Sequence, residues 1–274
     1  MLPAVVAHRG ASAHRAEHTL AAYALALEQG ADGLECDVRV TRDGQLVCVH
    51  DRTIDRTSTG RGAVSALTTR HLDELDYTSW HRGKPDSAGD QVLDQSSVET
   101  PARPGVLRLE ALLELVADAP SGTQLFVETK HPVRYGGLVE AKLIALLARY
   151  GLAKPGSKDE SPIVVMSFSS SAVRRLHEYA PSLPTVLLFN RLSAGRRRWV
   201  VPRWVDYAGP GIDLLRAAPE FVARVAERGQ QTYCWTVDEP EDVVLCQRLG
   251  VRHIATNMPA AAKRVLRGTV GRAG

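Results

Sequence analysis

The stretch Gly33–Asp51, GLECDVRVTRDGQLVCVHD, sets two apolar runs on either side of an Asp-Gly pair and places Glu35, Asp37 and His50 close to that turn. Asp-Gly is the dipeptide favoured by a two-residue type I′ hairpin turn. With the turn at Asp43-Gly44, Arg42 pairs with Gln45, Val40 with Val47, Val38 with Val49 and Asp37 with His50. The valines then match on one face, which supports this register, and Asp37 and His50 share the other. A strand's period of two adds Glu35 to that second face. Carboxylates directed into one pocket repel each other and lose hydration, so they persist more easily with a cation between them. The expectation is one divalent cation. Oxygen ligands suit Mg²⁺, Ca²⁺ or Mn²⁺ better than zinc. Taken alone, the stretch is equally compatible with an exposed hairpin carrying solvated acids.

Working outward, short apolar runs recur at AVVAH, LVCVH, LFVET, IVVMSF, TVLLF, TYCWTV and HIAT. Between most of them lie segments with helical spacing, at Glu17–Gly30, Leu107–Ala119, Gly136–Gly151 and Pro219–Gly229, several of them closed by glycine. Strand and helix alternating along the whole chain predict a parallel sheet. About eight such units in 274 residues favour a (β/α)8 TIM barrel over an open doubly wound sheet. The rhythm breaks after His50-Asp51, so residues 52–105 read as a small insertion or extended loop within a single catalytic domain spanning 1–268, with 269–274 as a tail.

Composition narrows the function. Hydrophobic residues make up 44% and charged residues 24%, the mix of an ordinary globular protein. A formal charge of +3 with no basic arm argues against nucleic acid as a partner. No apolar run is long enough for stable membrane insertion, and the N-terminus lacks a secretory pattern, so a cytoplasmic protein is expected. Cys36, Cys48, Cys234 and Cys246 stand singly, without CxxC spacing, and read as buried reduced thiols.

Two further strand ends carry chemistry. In FVETK, Glu128 and Lys130 share a face; they read either as an ion pair or as a third metal ligand beside a cation for an anionic substrate. AHRG ends the first apolar run with His8, Arg9 and a glycine that permits close backbone approach. Together these are parts for cleaving a phosphate ester. Arg9 and Lys130 suit anionic oxygens, and His8 and His50 suit proton transfer near neutral pH.

At these residues the chain resembles the glycerophosphodiester phosphodiesterase family. HRG at His8–Gly10, AEHT at Ala16–Thr19, the whole of Gly30–Asp51, DRTSTGRG at Asp55–Gly62, VETK at Val127–Lys130 and CWTV at Cys234–Val237 fall in family order. The resemblance implies a TIM barrel of the phosphatidylinositol-phospholipase C type, with Glu35, Asp37 and Glu128 as ligands of a divalent cation. It also implies His8 and His50 as general acid and base, Arg9 and Lys130 as phosphate holders, and Glu17, Phe168 and Trp235 in the substrate pocket. For Phe168, packing in the barrel is an equal alternative. The implied reaction is hydrolysis of a small glycerophosphodiester, such as glycerophosphocholine or glycerophosphoethanolamine, to glycerol 3-phosphate and an alcohol. A lysophospholipase D or sphingomyelinase D type enzyme is the alternative. The basic stretch at 195–204 would be its membrane-facing surface, although a solvated face is preferred. A catalytically dead binding barrel is disfavoured by the retained polar set. His18 stands where the family usually has asparagine, and a hydrogen bond from it is expected. Asn257 stands in place of aspartate and is expected to alter only a strand-end cap.

Overall fold

A computed structural model describes residues 2–81, 105–133, 136–190 and 201–270. Among them the strands are β1 (Ala4–His8), β2 (Gly33–Val40), β3 (Leu46–Cys48), β4 (Gln124–Thr129), β5 (Ile163–Ser167), β6 (Thr185–Phe189), β7 (Tyr207–Pro210), β8 (Gln231–Cys234) and β9 (His253–Thr256). All but β3 are parallel neighbours in the order β1-β2-β4-β5-β6-β7-β8-β9, and β9 pairs back onto β1 to close the ring. The fold is therefore a (β/α)8 barrel. Helices between the strands, such as α1 (Leu20–Glu28), bury their apolar stripes against the outside of the ring.

The apolar runs do not map one to one onto the barrel. Leu46–Cys48 is an antiparallel appendage on β2, outside the ring. The missing barrel strand is Tyr207–Pro210, whose YAGP carries neither a β-branched run nor alternation. Gly209 is required there: a Cβ would lie 2.7 Å from Leu188 and 2.9 Å from the Leu187 carbonyl oxygen.

The expected hairpin register is off by one. Val38 pairs with Cys48, Arg39 with Val47 and Val40 with Leu46, and Asp37 accepts from the Val49 amide, so Asp37 does not face His50. The turn has three residues, Arg42-Asp43-Gly44, between Thr41 and Gln45, and Gly44 takes the left-handed position at φ +82°. Asp43 is spent on the turn itself. Its carboxylate accepts from the Thr41 hydroxyl at 2.6 Å and from the Thr69 hydroxyl at 2.6 Å. The slip carries no hydrophobic penalty because LVCV is apolar throughout. Leu46 and Cys48 pack with Val38 in the main core, while Val47 and Val49 pack with Ile54, Val64, Leu72, Tyr77 and Val106 in a small core under the insertion.

The described part of the insertion contains α2 (Thr69–Asp73) and two single 3₁₀ turns, in keeping with its lack of long periodicity. Residues 82–104 and most of the basic stretch at 195–204 lie outside the described residues. The helix Pro259–Val270 runs two residues past the expected end of the domain. All four cysteines are buried and unbridged. Among the described residues no helix is long and apolar enough to cross a membrane.

The barrel interior is plugged by Val6, Phe126, Val164, Met166, Val186, Leu188, Tyr233 and Ala255. Gly33 leaves room for this plug, since a Cβ there would lie 3.2 Å from the Phe126 ring. Residues two positions further along each strand face inward above the plug, at the C-terminal end where barrel active sites form.

Candidate active site

That spacing assembles the site. His8 follows Val6, Glu128 follows Phe126, Phe168 follows Met166, Asn190 follows Leu188, Trp235 follows Tyr233 and Asn257 follows Ala255. Glu35 and Asp37 continue the same inward face of β2. Strand pairing sets His8 beside Glu35 and Asp37 beside Glu128. The result is a cavity of about 190 Å³ lined by His8, Arg9, Glu35, His50, Glu128 and Lys130, with Phe168 and Trp235 on one wall. Asp37 lies beneath it, 1% exposed.

The floor is three carboxylates with oxygens within 4.8 Å of one another. Glu35, Asp37 and Glu128 are 1%, 1% and 5% exposed, so little water screens them. Burial, then Asp37, pushes Glu128 up to about 8 and holds Glu35 well above the usual carboxylate range. Asp37 goes the other way. Burial opposes its charge, but Lys130, His18 and Arg9 outweigh burial and hold its carboxyl well below the ordinary value. Lys130 Nζ lies 2.8 Å from Glu128 and 3.1 Å from Asp37, a geometry that both readings of FVETK allow. Three buried oxygen donors, two of them resisting ionisation, fit a hard divalent cation.

Arg9 stands over the floor with φ +61°, and its backbone amide donates to Glu35 Oε2 at 3.0 Å. Its Nε approaches Asp37 to 3.1 Å without hydrogen-bond alignment. His18 is the second non-glycine residue at positive φ, +57°. Such a conformation costs free energy and tends to be retained at functional sites. Its Nε2 donates to Asp37 at 2.9 Å, as expected of the residue standing in for asparagine, and its Nδ1 lies 2.8 Å from the Tyr23 hydroxyl. Gly10 lets the HRG turn sit on α1, since a Cβ there would meet the Ala22 backbone at 2.7 Å.

Each pocket histidine is oriented from behind. His8 Nδ1 lies 2.9 Å from Asn257 Oδ1, which also accepts from Ser12, while Asn257 Nδ2 donates to Asp238 at 2.6 Å. With the amide nitrogen committed to a carboxylate, Oδ1 can only accept, so His8 carries its proton on Nδ1 and leaves Nε2 bare. Asn257 is thus more than a strand-end cap. Burial, then Arg9, pulls His8 down to about 3. His50 reaches the cavity from the bend after β3, where Arg39 clamps its carbonyl at 2.7 Å, and its Nδ1 donates to Asp51 at 2.7 Å. Burial lowers its pKa as well.

Glu17 does not line the cavity. It accepts from Arg9 at 3.1 Å and twice from Arg56 at 2.8 Å, and Arg56 also donates to Asp51. Burial works against its charge, but the Arg56 hydrogen bonds and Arg9 bring it down to about 2. Phe168 is 43% exposed and meets Trp235 edge-on at 5.1 Å, so it forms a wall rather than packing in the barrel. Asn257, Asn190, Asp51 and Arg56 were not among the sequence candidates. The two asparagines obey the two-residue rule that found the acids.

Comparison with known proteins shows the family and the fold. The model of the "Glycerophosphoryl diester phosphodiesterase family" matches residues 8–261. A Mycobacterium tuberculosis protein named "Probable glycerophosphodiester phosphodiesterase 1" is 52% identical over 263 residues, covering 95% of this chain and 91% of its own. A glycerophosphodiester phosphodiesterase of Bacillus subtilis is 32% identical, covering 96% of this chain and 86% of its own. The structure of an Oleispira antarctica phosphodiesterase in complex with the product sn-glycerol-3-phosphate superposes with a TM-score of 0.76 at 22% identity, covering 97% of each chain, and shares the fold.

Proposed function

Since the chain belongs to the glycerophosphoryl diester phosphodiesterase family and is such a phosphodiesterase, we propose that it hydrolyses small glycerophosphodiesters, glycerophosphocholine and glycerophosphoethanolamine among them, to glycerol 3-phosphate and an alcohol in a reaction that depends on a divalent cation. The observation that carries this is the convergence of three buried carboxylates, two cations and two oriented histidines on one cavity.

A divalent cation, Mg²⁺ or Ca²⁺ in the first instance and Mn²⁺ as a substitute, held by Glu35, Asp37 and Glu128, would neutralise charge on the phosphate oxygens. Arg9 and Lys130 hold the remaining anionic oxygens, each already paired with the floor at about 3 Å. His8, with its proton fixed on Nδ1, offers a bare Nε2 to take the proton of the attacking oxygen. His50, entering the step protonated on both nitrogens with Nδ1–H held by Asp51, gives its Nε2 proton to the departing alcohol as the bond from phosphorus to that alcohol breaks, and exchange with solvent resets both rings. Phe168 and Trp235 give the glycerol carbons an apolar wall, and Glu17 fixes Arg9 from behind. The names of the relatives support a deacylated diester over a lipid-chain-bearing one.

The test follows glycerol 3-phosphate release from glycerophosphocholine with and without chelator. Loss of the rate on chelation and its return with added Mg²⁺, Ca²⁺ or Mn²⁺ is expected. An unchanged rate in chelator would overturn the metal-dependent reading.

A further inference from the structure

Beside the catalytic cavity lies a larger one, about 850 Å³, between the β2–β3 hairpin, the start of the insertion and the loop after β4. Arg39, Arg42 and Arg52 line it, with Val64, Val133 and Leu138 as its apolar surface. Apart from Arg39, which clamps the His50 carbonyl, its lining takes no part in the catalytic set.

Its position follows from the chain. Arg39 is two residues beyond Asp37, Arg52 two beyond His50 and Pro132 two beyond Lys130. On β2, which is extended, two residues span about 7 Å, whereas His50–Arg52 and His131–Pro132 are bends. Along β2 the Arg39 side of the cavity therefore lies one such step beyond Asp37, within reach of the next substituent on a bound diester.

Its charge is answered only in part, by solvent at the exposed Arg42 and Arg52 and by Asp37, Glu128 and Asp51 around Arg39. Among the described residues Arg42 and Arg52 have no hydrogen-bond or ion-pair partner for their guanidinium groups, and Arg39 donates only to the neutral His50 carbonyl, at 3.1 and 2.7 Å. Burial pulls the Arg39 guanidinium below its ordinary value even though Asp37 acts the other way. A fourth cation stands close by: a Cβ on Gly44, which lines the cavity, would lie 2.8 Å from Lys142 Nζ. The acids nearest in sequence are committed elsewhere, Asp43 to Thr41 and Thr69, and Asp51 to His50 and Arg56.

We propose that this cavity is a second anion subsite, which takes a phosphate carried by the alcohol portion of the diester. The subsite rests on the catalytic reading given above and deepens it. The preferred substrate class is then a glycerophosphodiester whose alcohol is itself phosphorylated, because guanidinium groups bind phosphate through paired charge-assisted hydrogen bonds.

The test compares glycerophosphoglycerol with the same diester bearing a terminal phosphate monoester, on the full chain and on Arg42→Glu/Arg52→Glu. In the native chain the added phosphate should lower KM about tenfold or more, the size expected of charge-assisted contacts. The double variant should lose that advantage and hydrolyse the parent diester unchanged. Equal KM values for the two substrates in the native chain, or an equal loss on both in the variant, would overturn the subsite. Should neither diester be hydrolysed, it is the catalytic reading that fails. Calorimetric binding then decides the subsite, which stands if the native chain prefers the phosphorylated diester and the double variant does not, and falls otherwise.

Discussion

Glu35, Asp37 and Glu128 stand on neighbouring barrel strands and are at most 5% exposed, whereas His50, Asp51 and Arg56 stand on the bend after β3 with a third or more of each side chain in solvent. Strand pairing fixes the backbone beneath the floor, so its buried carboxylates can separate only by side-chain rotation. The rim is fixed by a chain of charges, Glu17 to Arg56 to Asp51 to His50, each partly solvated and individually weak. Lys130 already pairs with two of the floor's acids and a bound divalent cation would relieve the repulsion that remains, while the rim can lose a member and keep the fold.

The sharpest way to break this contrast is Glu35→Gln. Activity on glycerophosphocholine should fall about 1000-fold, the scale of losing a bound cation's charge stabilisation. In cation-free buffer the thermal midpoint should rise, because one of three mutually repelling acids is gone. A fall in both would mean that Glu35 serves the fold alone.

The rim should respond more gently. Asp51→Asn is expected to lower kcat about 10- to 100-fold through misorientation of His50, the range seen for groups that orient a working histidine. Arg56→Ala should cost only a few-fold, since Asp51 stays within reach of His50. Thermal midpoints should hardly move in either variant. A large drop in midpoint would place these ion pairs in the stability of the fold instead.

A smaller effect comes from the barrel interior below the site. His253, packed edge-on against Phe126 and Tyr207, is brought down from 6.5 to about 3 by burial and then Arg252. The unfolded chain takes up this proton first. Stability contributed by the neutral ring is present above about 6.5 and is lost as pH falls toward 3, at up to about 1.4 kcal/mol per pH unit. Urea midpoints at pH 7 and pH 5 should differ less in His253→Leu than in the native chain. An identical pH dependence would mean that His253 is protonated without cost.

Legibility in the sequence follows the same division. The floor was readable because Glu35 and Asp37 alternate on one strand and Glu128 ends another, and a period of two is local information. The barrel was readable from repeated alternation, except at Tyr207–Pro210, where a tight sheet contact selects glycine in place of a β-branched run. The hairpin register was not readable, because LVCV offers apolar partners in either register and Asp43 is drawn into the turn by Thr69, 26 residues away. His50 nonetheless reaches the cavity, by way of the bend and the Arg39 clamp rather than by pairing with Asp37. Asn257 could have been found by stepping two residues past Ala255, but its contact with His8 spans 249 positions of sequence.

Calorimetric titration of Mg²⁺, Mn²⁺ and Ca²⁺ into the cation-free chain tests whether the buried acids Glu35, Asp37 and Glu128 form one cation site. One ion bound per chain, with binding lost in Glu35→Gln, is the predicted result. No binding by the native chain, or equal binding by the variant, would contradict it.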